Sequence, residues 1–100
     1  MADGKVRVDK WLWFARFAKS RSLAARLVGD GHVRLNGRRV EVAAKPVGIG
    51  DVLTVAAPHV TCVIRVVATG TRRGPPSEAR TLYEAVGRDD GALATEEGEP

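Results

Sequence analysis

Arg16, Lys19, Arg21 and Arg26 stand within eleven residues of one another, and no acidic side chain occurs anywhere between Lys10 and Val28. A solvated helix face normally interleaves both signs, because opposite charges three or four residues apart stabilise a helix. Cations left without that compensation point to a surface that meets phosphates, where arginine offers forked donors and lysine a point charge. Arg7 and Lys10 extend the set on the N-terminal side, and Ser20 and Ser22 add neutral hydroxyls. A second basic cluster surrounds Asn36-Gly37: Arg34, Arg38 and Arg39. If Asn36-Gly37 forms a two-residue hairpin turn, Val33 faces Val40 and Arg34 faces Arg39. Like charges directly opposite are unfavourable by a few tenths to ~1 kcal/mol, a sign that a bound polyanion would reverse.

Catalytic chemistry finds no comparable constellation. His32 and His59 are the only histidines, and neither has a second ligand at metal spacing. Gly29-Asp30-Gly31 and Gly48-Ile49-Gly50 lack the third glycine of a dinucleotide loop and any following Gly-Lys-Ser/Thr, so they read as turns. There is no Gly-x-Ser-x-Gly elbow, and Asp9 and Asp51 belong to a cap and a turn. Cys62 is the single cysteine, which excludes an internal disulfide and a thiolate zinc site. The expectation is a non-enzymatic protein with no metal, no cofactor and no small-molecule substrate.

The elements that must carry these cations follow from periodicity. Asp9 is expected to cap a helix from about Lys10 to Ala18, apolar around most of its circumference through Trp11, Leu12, Trp13, Phe14 and Phe17. These aromatics are assigned to the core, with one of them a candidate for stacking on a base. Ser20 is expected to cap a second helix, Arg21 to Val28, with an apolar stripe of Leu23, Ala24, Leu27 and Val28 and a glycine stop. The period then changes to two. His32–Leu35 and Arg39–Val42 form a hairpin, Val52–Val55 and Val60–Val67 read as strands separated by Pro58, and a Ser77-capped helical segment runs through Ala79, Leu82, Tyr83 and Val86. The predicted fold class is α+β: two N-terminal helices packed on a small, mainly antiparallel sheet, with a short C-terminal helix.

Charge and composition agree with that picture. The 100 residues carry a net charge of +4, but residues 1–50 hold 11 basic and 4 acidic side chains and residues 51–100 hold 5 and 8. Residues 87–100 are acidic and nearly devoid of large apolar side chains, and are expected to form a flexible tail behind one folded domain spanning 5–86. Apolar stretches are too short to span a bilayer, and the N-terminus lacks the apolar core of a signal peptide, so a cytoplasmic location with no membrane partner is expected.

Four runs resemble a known RNA-binding family: Val6-Arg7-Val8-Asp9-Lys10-Trp11-Leu12-Trp13, Ala15-Arg16-Phe17, Lys19-Ser20-Arg21-Ser22-Leu23-Ala24, and Gly31-His32-Val33-Arg34-Leu35-Asn36-Gly37-Arg38-Arg39-Val40. They look like the alpha-L motif shared by ribosomal small-subunit protein four, tyrosyl-tRNA synthetases and pseudouridine synthases. Lys10-Trp11-Leu12-Trp13 is similar to the heat shock protein 15 branch. A second signature, Arg72-Arg73-Gly74-Pro75 with Ser77-Glu78-Ala79 and Leu82-Tyr83-Glu84, resembles that branch's segment after the sheet. The resemblance implies binding to ribosomal RNA of free large ribosomal subunits that still hold a nascent chain on tRNA. Its implied role is to aid their recycling after translation aborts under heat stress, with peptidyl-tRNA a further candidate contact. It places Arg7, Lys10, Arg16, Lys19, Ser20, Arg21, Arg26, Asn36 and Arg38 on the RNA face, and the hairpin argument adds Arg34 and Arg39. For Asn36 a turn role competes, since asparagine there supplies positive φ. A general RNA- or DNA-binding module, or a detached accessory domain of an RNA-modifying enzyme, is the alternative. Members of the branch often continue into a long basic extension. The residues here are acidic instead, so contacts made by that extension are not carried over.

Overall fold

The computed structural model describes residues 4–57 and 60–87. The chain opens with strand β1 (Val6–Arg7), which turns straight into helix α1 (Val8–Phe14), followed by α2 (Arg21–Gly29), β2 (Val33–Leu35) and β3 (Arg38–Val40). Next come β4 (Pro46–Val47), β5 (Val52–Ala57), β6 (Val60–Val66), a single helical turn α3 (Pro76–Ala79) that tightens into a 3-10 turn (Arg80–Leu82), and β7 (Tyr83–Gly87). The main sheet has five antiparallel strands in the order β3-β2-β5-β6-β7, and β1 pairs with β4 in a separate two-stranded ribbon. This is the expected α+β arrangement.

The core lies between the helix pair and one face of the sheet. Val8, Trp11, Leu12 and Val28 are completely buried against Val33, Val47, Leu53 and Val66. Trp11 also donates its indole N–H to the carbonyl of Ala68 at 2.9 Å, which satisfies its one polar atom. Its ring packs near Phe17 and edge-on to Tyr83, so α1, the interhelical loop and β7 share one aromatic cluster. Truncating a tryptophan buried this way to alanine typically costs ~3–5 kcal/mol.

Several expectations need correction. Helix α1 starts two residues earlier than expected and stops at Phe14, because residue 16 takes a left-handed conformation and turns the chain. Asp9 therefore does not cap the helix; it lies inside the first turn, 3% exposed, and the N-cap position belongs to Arg7, which makes no side-chain cap bond. The segment after the sheet is not capped by Ser77, which lies inside the helical turn behind an N-cap at Pro75. It is helical only to Leu82, and Tyr83 to Val86, expected on a helix, belong to β7. Unpaired backbone along β6 favours that outcome, since β7 completes its ladder and places Glu84 opposite Arg65 in an ion pair. The β1–β4 ribbon is an addition to the expected elements, because two-residue strands carry no periodicity. Pro58 and residues 88–100 lie outside the described residues.

Candidate nucleic-acid interface

The hairpin adopts the expected register, with Val33 opposite Val40 and Arg34 opposite Arg39. Asn36 and Gly37 have φ of 52° and 87°, the pair of positive values that a type I′ turn requires. Asn36 does more than turn the chain. Its Oδ1 accepts from the amide of Val52 at 2.9 Å, and its Nδ2 donates to Asp51 at 3.2 Å. Asp51 in turn accepts from the amide of Gly48. The side chain of Asn36 is thus the peg that fixes the hairpin tip to the start of β5.

The Arg34–Arg39 conflict is resolved by moving one partner aside. Arg39 is drawn to Glu41 at 3.2 Å, and its guanidinium lies over Gly31, occupying the space that any Cβ at residue 31 would need. Gly31 follows the C-terminus of α2, where the free carbonyls favour a cation. Arg34 is left exposed, as is Arg38, and neither has an ion-pair partner among the described residues. Arg38 shares an open cleft of about 450 Å³ with Arg39 and Lys45.

On the helices the cations divide into two groups. Arg7 donates from Nε and Nη2 to the two carboxylate oxygens of Asp9, each at 3.1 Å, and Arg21 approaches the same carboxylate at 3.7 Å. The acid-free stretch begins just after Asp9, yet folding brings that one carboxylate to both arginines. Lys10 lies 5.7 Å from the Phe14 ring centre, a cation–π distance. Lys19 and Arg26 have no ion-pair partner among the described residues. Both line a cleft of about 770 Å³ together with Phe17, Leu23, Leu27, Asp30 and His32. Ser20 caps α2 as expected, accepting from the amide of Leu23 at 3.1 Å. His32 and Lys45 therefore join clefts that spacing alone did not assign to them; no periodic signal marks either position.

Both helices end in the same bond pattern, with one difference. After α2, the amide of Gly31 bonds to Val28 O and that of His32 to Leu27 O. After α1, the amide of Arg16 bonds to Trp13 O and that of Phe17 to Leu12 O. This is the Schellman closure, in which a left-handed residue is required and glycine is usual. Gly31 fills it at φ 83°, whereas Arg16 does so at φ 66°. A side chain at such a position costs ~1–2 kcal/mol relative to glycine. Arg16 recovers part of that by donating from Nε to the carbonyl of Gly74 at 2.7 Å.

Comparison with known proteins agrees with this geometry. Residues 6–53 match the S4 domain. The heat shock protein 15 homolog of Haemophilus influenzae is 38% identical over 84 residues, covering 84% of this chain and 63% of the relative. Heat shock protein 15 of Escherichia coli (strain K12) is 41% identical over 80 residues, covering 80% and 59%. The chain thus spans about 60% of the length of these curated relatives. Small ribosomal subunit protein uS4 of Fusobacterium nucleatum is 39% identical over 49 residues, 49% of this chain and 25% of that protein. A solved structure of heat shock protein 15 from Vibrio cholerae, described as trimeric, superposes with a TM-score of 0.79 at 37% identity, covering 89% of this chain and 94% of that one. On these matches the chain belongs to the heat shock protein 15 family of S4-domain proteins.

Proposed function

We propose that this protein binds structured RNA without catalysing a reaction, and that its target is ribosomal RNA of free large ribosomal subunits carrying a nascent chain on tRNA. The observation that carries this reading is the set of exposed, unpaired cations on S4-domain elements: Lys19 and Arg26 beside α2, and Arg34 and Arg38 on the hairpin. Such side chains replace the counterions condensed on a polyanion, which makes affinity depend on salt. Family membership supports an RNA partner, and the likeness to ribosomal protein uS4 supports a ribosomal one. Arg7 and Arg21 are held by Asp9, so their part in the interface is through Nη groups left free by that pairing. The folded unit proposed for this role is residues 5–86, in the cytoplasm, acting to return stalled subunits to use after heat stress.

Sedimentation with purified large subunits tests the target. Binding is expected to be stronger to subunits loaded with peptidyl-tRNA than to vacant ones, and equal binding to both would remove the nascent-chain part of the reading. Salt dependence tests the interface. Replacing Lys19 and Arg26 together by alanine is expected to flatten the slope of log affinity against log salt by about 1.4–1.8, that is ~0.7–0.9 per lost contact. Duplex DNA that competes as well as structured RNA would favour the general nucleic-acid module instead.

A further inference from the structure

The second signature of the sequence, Arg72-Arg73-Gly74-Pro75, lies outside the residues matched to the S4 domain, and the cations proposed to meet RNA do not include it. The structure shows how this loop is held. Arg72 makes a two-point pair with Glu78, Nε to Oε2 at 3.1 Å and Nη2 to Oε1 at 2.6 Å, which neutralises that acid. The carbonyl of Gly74 takes the Nε of Arg16, tying the loop to the junction between α1 and α2. At that junction lies a small open cleft of about 130 Å³, with Arg16 and Arg80 among its walls and Ala15, Phe17, Ala79 and Tyr83 beneath them. No acidic side chain lines it.

Two guanidinium groups at this cleft are incompletely used. Arg80 is exposed and has no ion pair among the described residues. Arg16 engages Gly74 through Nε alone and sits at a helix end where α2 uses glycine. A strained residue that persists where an unstrained one is available points to a function for its side chain.

We propose that this seam is a phosphate seat: Arg16 and Arg80 grip a backbone phosphate of the bound RNA, carrying the interface beyond the S4 domain onto the segment after the sheet. The inference rests on the RNA-binding reading and adds a site to it. Forked donors supplied by two segments to one acid-free cleft suit a tetrahedral anion, and tethering by Gly74 orients one of them before the ligand arrives.

The test is a titration of the full chain with a fluorescein-labelled ribosomal RNA stem-loop across a range of potassium chloride concentrations. Arg80→Gln is expected to lower the salt slope by about 0.7–0.9, one lost contact, with an unchanged melting temperature. Arg16→Gly is expected to lower the slope while the melting temperature holds or rises; a purely structural Arg16 would instead lower the melting temperature and leave the slope alone. An unchanged slope in the Arg80 variant, with the Lys19/Arg26 variant still flattened, would overturn the seat and leave the RNA reading standing. A wild-type slope of zero would overturn both. Displacement of the RNA from the seam by polyglutamate at equal charge concentration would assign it to a carboxylate-bearing protein partner and also overturn the proposal.

Discussion

Asn36 is exposed at the hairpin turn, and its side chain is nonetheless engaged by Asp51 and the amide of Val52. Asn36→Ala removes two hydrogen bonds and leaves a Cβ residue at φ 52°, so a loss of ~2 kcal/mol is expected from urea unfolding. The turn role of Asn36 is legible in the Asn-Gly dipeptide; the peg to β5 is not, because its partners lie fifteen and sixteen residues away. The same limit applies to the arginines. Spacing locates the basic residues of both clusters, but only the fold distinguishes Arg7 and Arg21, gathered by Asp9, from Lys19, Arg26, Arg34 and Arg38, which meet no acid among the described residues. Arg80 carries no signal at all, as a single arginine in a short helical turn has nothing periodic around it. Cys62 is half-buried in β6, and burial pushes its thiol above the usual range.

At the scale of elements, α2 and the β2–β3 hairpin are readable almost to the residue because their signals are local: a serine cap, an apolar stripe, a glycine stop and an Asn-Gly turn. Helix α1 departs from its expected bounds at both ends. Its all-round apolar surface hides the period, and an arginine in the left-handed position at its end is the reverse of the usual glycine signal. Strand β7 escapes a sequence reading because Tyr83–Val86 has no strong pattern of its own and is extended by pairing with β6. The junction of α2 with the hairpin turns on Gly31, whose backbone needs φ 83° and whose missing side chain makes room for the Arg39 guanidinium. Gly31→Ala is expected to lower stability by ~1–2 kcal/mol in chemical unfolding. It also displaces Arg39 toward Arg34, so RNA affinity at low salt is expected to change in the same variant.

For the whole molecule, the match to the S4 domain ends at residue 53, inside β5, the central strand of the five. Val55, Ile64 and Val66 lie beyond that boundary and are buried in the same core as Trp11 and Leu12. A fragment ending at residue 53 would lose the β6 side of the sheet and the carbonyl of Ala68 that satisfies the Trp11 indole. It is expected to show no cooperative thermal transition by circular dichroism, whereas residues 5–86 are expected to melt as one unit. No helix among the described residues is long and apolar enough to cross a membrane.

Attempts to improve the protein would meet a conflict at one position. Directed evolution for heat tolerance, or a consensus approach that favours glycine after helices, would be drawn to residue 16, where backbone strain makes a gain easy to find. If Arg16 grips a phosphate, that gain would come at the expense of hold on RNA. A library screened only for survival at high temperature would thus enrich sturdier molecules that bind less well, and position 16 is where the two selections part.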